Sequence, residues 1–229
     1  MYLSLDELGL APETSQTLAS YIAIEGPIGV GKTTLARSLA HSFECEALYE
    51  QPEENPFLNR FYKDPKAYAL PTQLHFLFQR ISQIEDLKQT DIFNIRRVSD
   101  FLIDKDPLFA EVNLDSDQFA IYQKVFDAII IDAPKPDLVV YLQAPTDVLI
   151  ERIRKRGIEF EQKINNSYLA QLNDAYMRYF HNYSGSPLLI VNAAEIDFVH
   201  DKNQYRNLVE TIVNTRSGRH YYNPLTREI

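Results

Sequence analysis

Short apolar runs alternate with amphipathic stretches along this chain. Tyr21-Ile22-Ala23-Ile24 opens a first strand over about 21–25. Residues 34–42 then carry Leu35 and Leu39, with Ala36 and Ala40, at helical spacing. A second strand is expected at 45–49 (CEALY), ending in Glu50. Pro52, Pro56, Pro65 and Pro71 divide the next stretch into short helical pieces and turns. Residues 72–89 place apolar side chains at 74, 77, 78, 81 and 84, a helical stripe to which Phe76 adds. A third strand over 95–99 ends at Asp100, and a helix covers 115–130. A buried strand at 138–142 has prolines on either side. The helix VLIERIRKR follows, with Thr146-Asp147 able to cap it and Gly157 to end it. A helix at 163–181, a last strand at 188–192 and a closing helix at 203–215 complete the pattern.

Strands alternating with helices imply a parallel sheet covered on both faces. The expectation is one three-layer α/β domain over 21–215 with a five-stranded parallel sheet. Residues 1–20 read as an N-terminal extension and 216–229 as an irregular tail. A length of 229 residues suits one such domain.

The loop between the first strand and its helix changes the picture. Gly26-Pro27-Ile28-Gly29-Val30-Gly31-Lys32-Thr33 matches the phosphate-loop pattern G-x-x-x-x-G-K-[ST], and Thr34 continues into the helix. Strand, glycine loop and helix are the context the motif needs. Gly26, Gly29 and Gly31 let the backbone turn tightly and aim N–H groups at phosphate oxygens. The helix N-terminus adds partial positive charge. Lys32 would neutralise the β- and γ-phosphates, and the Thr33 hydroxyl would ligate Mg²⁺. The competing reading is a glycine-rich turn that happens to carry a lysine.

Charge and cysteine count then narrow the classes. The net charge is −9, which argues against a broad nucleic-acid surface. Phosphate binding must therefore be local. The single cysteine, Cys45, excludes an intrachain disulfide and a cysteine-built metal site, and it reads as a small buried hydrophobe on the second strand. The first twenty residues lack the pattern of a signal peptide, and no apolar run reaches the roughly 18 residues of a membrane span. A soluble cytoplasmic protein is expected, with no membrane and no nucleic acid as partner.

A phosphate loop is shared by GTPases, ATPase motors and small-molecule kinases. The GTPase base-reading motif N-K-x-D is absent, and no apolar strand ends in Asp-Glu. Asp132 follows Ile129-Ile130-Ile131, but the proline-rich text after it suggests a helix end rather than a metal-binding strand end. Arg152, Arg154, Lys155 and Arg156 crowd the turns before Gly157. Arg152 and Arg156 share a helix face. Such a basic helix end followed by a loop suits a kinase lid that adds positive charge and excludes water. The alternative is a solvated basic face paired with Glu151 and Glu159.

With IEGPIGVGKTTLA, YEQPEENPFLNRFYKDPKAYALPTQLHFLFQR, DLVVYLQAP, LIERIRKRG and LLIVNA in view, the chain resembles the deoxynucleoside kinase family over about 21–200. The resemblance implies transfer of the γ-phosphoryl of ATP or another nucleoside triphosphate to the 5′-hydroxyl of a deoxynucleoside, with Mg²⁺. It implies Glu50 as the base that takes the 5′-hydroxyl proton. The family usually reads Glu-Pro there, whereas this chain has Glu50-Gln51-Pro52, which keeps Glu53 as a second candidate. Tyr62 and Glu161 match the residues that share the sugar 3′-hydroxyl, Gln73 the amide that reads the base edge, and Arg80 the arginine of members directed to purines and cytosine. Gln73 and Arg80 are two helical turns apart on one face. Phe76 and Phe78 either wall the base or pack the core. Residues 26–34 with Arg154 are assigned to ATP, and Arg152 and Arg156 to the transferring charge. The stretch from Asn192 to Asp197 would flank the donor base. A homodimer, with the 72–89 helix at its interface, is implied by resemblance only.

The family's third strand usually ends Asp/Glu-Arg-Ser, and here the text is Val98-Ser99-Asp100-Phe101. Asp100 keeps the acidic role, touching substrate and Mg²⁺. Arg96, Arg97 or Lys105 could replace the arginine; Lys105 is preferred because it follows the strand end into the site. Asp104 and Asp106 both remain candidates for Arg80's partner. Ile158 stands where many members have arginine. Two rivals stay open: a nucleoside monophosphate kinase, for which 50–80 offers only Arg60, Lys63, Lys66 and Arg80, and a nucleotide-binding regulatory subunit without turnover.

Overall fold

In a computed structural model, residues 2–10, 18–90, 96–129 and 133–224 are described, without the side chains of 86–90. The alternation of β1 (Tyr21–Glu25) sets the layers. Ile22 and Ile24 face one core, and Ala23 faces the other. β4 (Leu138–Gln143) and β5 (Leu188–Asn192) repeat the rule: Val140, Leu142, Leu189 and Val191 join the first core, and Val139, Tyr141, Leu188 and Ile190 the second. A sheet with apolar residues on both faces must be covered on both, which is the parallel α/β solution.

The first core is closed by α1 (Lys32–Ser42), α6 (Thr146–Arg156) and α8 (Lys202–Asn214), through residues such as Leu35, Leu39, Leu149, Ile153, Leu208 and Ile212. The second is closed by α4 (Asp106–Asn113) and α7 (Asn166–Asn182), through Leu108, Leu172, Tyr176 and Phe180. Between β2 (Glu46–Leu48) and β3 (Arg97–Ser99) lie the short α2 (Leu58–Phe61) and the long α3 (Pro65–Thr90). α5 (Ser116–Ile129) packs beside α3, with Tyr122 buried against Leu77.

Every strand pair is parallel, in the order β2-β3-β1-β4-β5-β6. The sheet therefore has six strands among the described residues, not the five expected. The added strand, β6 (Arg219–Tyr222), pairs with β5 from Leu188↔Arg219 to Val191↔Tyr222, inside the segment expected to be irregular. It is an edge strand whose His220 and Tyr221 are exposed, so it carries no buried alternation for a pattern to detect.

Other boundaries shift for local reasons. α3 begins seven residues before the expected 72, because Pro65 suits a first helical turn and Asp64 accepts the Ala67 N–H at 3.3 Å as a cap. Pro71 lies inside that helix and does not end it. α7 starts at Asn166, where Asn165 caps Ser167 N–H at 2.7 Å, and a 3₁₀ turn at Glu161–Lys163 precedes it. The cap expected from Thr146-Asp147 is not formed: Pro145 holds the N-cap position, and the Thr146 hydroxyl faces the Asn173 amide of α7 at 3.4 Å. Gly157 does end α6, with φ 72°. Leu8, Leu10 and Leu18 of the expected extension are buried in the first core. Cys45 sits one residue before β2 and is half-buried, and burial pushes its thiol up to about 11. Among the described residues no helix is long and apolar enough to cross a membrane. Asp132 lies outside the described residues.

Candidate active site

The carboxyl ends of β1, β2 and β3 converge on the phosphate loop, where ligands bind in open α/β sheets. Gly26, at φ 152°, passes so close to β4 that a Cβ there would lie 2.4 Å from the Leu142 carbonyl oxygen. Only glycine allows that approach. Contrary to the expectation that Gly26 helps aim N–H groups at phosphate, its own N–H donates to Glu25 Oε1 at 2.9 Å. Anion-binding amides must then come from later in the loop and the start of α1. Lys32 curls over the loop, with Nζ donating to the Gly26 carbonyl at 2.8 Å.

Glu50 follows β2, and Arg80 reaches it from α3. Arg80 Nε donates to Glu50 Oε1 at 2.9 Å, Nη2 contacts the same oxygen, and Nη1 pairs with Asp106. The structure thus selects Asp106 over Asp104 as the second partner. Burial pushes the Glu50 carboxyl up, but the Arg80, Lys105 and Lys32 charges outweigh it and bring it to about 2. Asp100 accepts from the Glu50 N–H at 2.8 Å and from the Thr33 hydroxyl at 2.5 Å. Burial and the neighbouring Glu50 charge push its carboxyl up to about 6. The Arg80 side chain is 5% exposed. Its removal in Arg80→Met would leave Glu50 and Asp106 as uncompensated carboxylates. A stability loss of about 3–5 kcal/mol is expected in denaturant unfolding.

A cavity opens between this cluster and the end of α6. Lys32, Thr33, Glu50, Gln73, Arg80 and Asp100 line one side, and Tyr62, Arg156 and Glu161 another. Gln73 and Glu161 are buried. Arg156 Nη2 donates to both Glu161 oxygens at 2.6 Å. Tyr62 stacks on Phe160 at 6.4 Å between centroids, and burial holds its hydroxyl well above the usual phenol range. Phe76 lines the cavity, with the Arg80 guanidinium 5.5 Å from its ring centroid. Phe78 is 52% exposed, so it neither walls the cavity nor packs the core. The sequence reading missed Thr72, Phe109, Phe160 and Tyr168 in the wall. Only their apolar neighbours marked them, and those read as core.

A second cavity lies on the other side of the loop. Gly31, Thr34, Arg152, Lys155 and the 194–200 stretch line it. Gly29 and Arg156 line both cavities, so the two meet between the phosphate loop and the end of α6. Arg152 donates to the Val30 carbonyl at 3.3 Å and the Ala193 carbonyl at 2.7 Å, bracing the loop. Arg154 is exposed and lines neither cavity. Glu53 is exposed in the 3₁₀ turn Pro52–Glu54, away from the cavity wall.

Lys105 does not reach the cavity either. It is 1% exposed and pairs with Glu25 at 3.2 Å. Arg96 and Arg97 lie at the start of β3, the end away from Asp100, and Arg97 Nε is 3.5 Å from Glu46.

A family model described as deoxynucleoside kinase matches residues 22–216. Deoxyguanosine kinase of Bacillus subtilis (strain 168) is 40% identical over 159 residues, 69% of this chain and 77% of that protein. Deoxyadenosine kinase of Lactobacillus acidophilus is 34% identical over 205 residues, 83% of this chain and 94% of that one. A solved structure of deoxyadenosine kinase from M. mycoides with bound dCTP is similar at TM-score 0.72 and 29% identity, covering 84% of this chain and 100% of that chain.

Proposed function

The chain belongs to the deoxynucleoside kinase family, and on that premise we propose that it transfers the γ-phosphoryl of a nucleoside triphosphate to the 5′-hydroxyl of a deoxynucleoside. The observation that carries this reading is the pair of cavities that meet at Gly29 and Arg156. Phosphate-loop residues line both, and the first also holds Glu50, Gln73 and Arg80. A direct transfer needs donor and acceptor to approach in line from opposite sides of one phosphoryl group.

Glu50 lies in the acceptor cavity, held by Arg80 in its ionised form. It orients the 5′-hydroxyl and takes its proton as the oxygen attacks phosphorus. Lys32 and the loop amides hold the donor phosphates. Arg156 stands where charge develops on the transferring group, and Arg152 keeps the loop braced. Tyr62 and Glu161 receive the sugar 3′-hydroxyl; Tyr62→Phe is expected to raise KM for the nucleoside about 5- to 15-fold, as one hydrogen bond near a charge would. Steady-state kinetics with the preferred nucleoside check this.

Thr33 and Asp100 offer adjoining hard oxygen donors. That fits Mg²⁺, which takes one or two protein oxygens and fills its shell with phosphate and water. Bound there, Mg²⁺ would supply charge neutralisation at the donor phosphates.

Gln73 and Arg80, both in the cavity wall, favour a purine or cytosine base, since the amide offers donor and acceptor together to a base edge. A monophosphate acceptor would need free cations in its cavity. Arg60, Lys63 and Lys66 do not line it, and Arg80 is already held by two carboxylates. A homodimer remains part of the proposal; Phe78 on α3 and Ile121 on neighbouring α5 are each 52% exposed. A panel of the four deoxynucleosides and their monophosphates, with ATP and GTP, tests the function. Phosphorylation of a purine deoxynucleoside or deoxycytidine is expected. Turnover of none of the nucleosides, or preference for a monophosphate, would overturn it.

A further inference from the structure

Beneath the two halves of the site lies a buried junction whose carboxylate and ammonium line neither cavity. Its centre is Glu25, at the end of β1 and fully buried. Oε1 accepts the Gly26 N–H at 2.9 Å and the Tyr176 hydroxyl at 2.9 Å. Oε2 accepts the Leu102 N–H at 2.9 Å and pairs with Lys105 Nζ at 3.2 Å. Lys105 also donates to the Tyr176 oxygen at 3.1 Å and lies 4.5 Å from the Phe109 ring centroid. One carboxylate thus receives four donors from three parts of the fold: the phosphate loop, the connection between β3 and α4, and α7.

The positions of those parts give the junction its meaning. Gly26 opens the phosphate loop. Leu102 lies two residues past Asp100, the acid that contacts Thr33 and the Glu50 backbone. Lys105 leads into α4, which carries Asp106, the partner of Arg80, and Phe109 in the cavity wall. Tyr176 comes from α7 across the second core. A buried carboxylate keeps such an arrangement only while a cation offsets its charge. Among the described residues, Lys105 is the cation in contact with it.

We propose that Lys105 is a positioning residue: its ammonium holds the Glu25 carboxylate between Gly26 and Leu102, and so fixes the phosphate loop against the chain that carries Asp100 and Asp106. The inference rests on the kinase reading above. It replaces the expectation that Lys105 follows the strand end into the site in place of the family's arginine. Lys105 acts through Glu25, so its loss misaligns donor and acceptor without removing any group that binds either.

The test is Lys105→Met in the full chain, assayed well below its own melting temperature beside the wild type. Misplacement of reacting groups by about 1 Å costs on the order of 10²-fold, so kcat is expected to fall about 10- to 100-fold. The Kd of the deoxynucleoside by calorimetry is expected to stay within about threefold, because Glu50, Gln73 and Arg80 remain. A kcat within twofold of wild type overturns the proposal. So does a parallel collapse of kcat and nucleoside affinity, the pattern of general loosening. Should Lys105→Met not fold, Tyr176→Phe decides: it keeps the ring and removes one donor from Glu25, with a kcat loss of about three- to tenfold expected and an unchanged kcat overturning the idea. Turnover by the wild type with equal turnover by both variants sinks this inference alone. No turnover by the wild type sinks the kinase reading and this inference with it.

Discussion

Glu50→Gln is expected to lower kcat about 10²- to 10⁴-fold, the span typical of losing a positioned base, with little change in nucleoside binding. The substitution is nearly isosteric. The Gln carbonyl can still accept from Arg80, and Asp106 still offsets the guanidinium, so no buried charge is stranded. What disappears is the proposed acceptor for the 5′-hydroxyl proton. The Glu50 N–H keeps its bond to Asp100, so the backbone at the end of β2 holds its place. Glu53→Gln provides the contrast. Glu53 is exposed and outside the cavity wall, and its loss is expected to change kcat less than twofold, as surface substitutions away from a site generally do. Single-turnover assays with calorimetric binding of the nucleoside separate the two outcomes. A Glu50→Gln enzyme that turns over at the wild-type rate, or a Glu53→Gln enzyme that does not, would remove Glu50 from the role.

How far the sequence carried this site depends on the kind of signal. The phosphate loop was legible because its chemistry is local: eight consecutive residues between a strand and a helix define it. The core strands were legible because two buried faces demand continuous apolar runs, as in Leu138 to Leu142. β6 was not, since an edge strand with exposed His220 and Tyr221 obeys no such demand. α4 escaped for a different reason. Its eight residues follow a 3₁₀ turn and are too few to establish a period. That short helix decides two questions the sequence left open. It brings Asp106, not Asp104, to Arg80, and it turns Lys105 back toward Glu25 instead of into the cavity. Both outcomes depend on partners about 25 to 80 residues away in sequence, which no local pattern encodes. The arginines of α6 divide likewise. Spacing placed Arg152 and Arg156 on one face, but only packing separates Arg152, tied to two carbonyls, from Arg156, tied to Glu161 between the cavities.

Lys32→Ala is expected to cut kcat/KM by about 10²- to 10³-fold or more, the scale of removing a preorganised charge from a developing anion, while leaving the fold intact. Lys32 makes no ion pair in the structure's described contacts; its ammonium rests on the Gly26 carbonyl at 2.8 Å and, more weakly, the Pro27 carbonyl at 3.5 Å. Those carbonyls belong to a loop that is held independently. Gly26 N–H is tied to Glu25, Val30 N–H to the Pro27 carbonyl at 3.2 Å, and the Val30 carbonyl to Arg152. Truncation therefore removes charge from the wall of the first cavity without unfastening the loop. Lys32→Arg is not expected to restore turnover. Its planar guanidinium cannot take the place of a compact ammonium that follows the phosphate as a point charge. Thermal unfolding should put Lys32→Ala within a few degrees of wild type, and donor titration should show whether the loss falls in binding or in transfer. A Lys32→Ala protein that retains wild-type kcat/KM would separate the phosphate loop from catalysis altogether. The second cavity, with Thr34 and the 194–200 stretch, would then hold a nucleotide that is bound but not consumed.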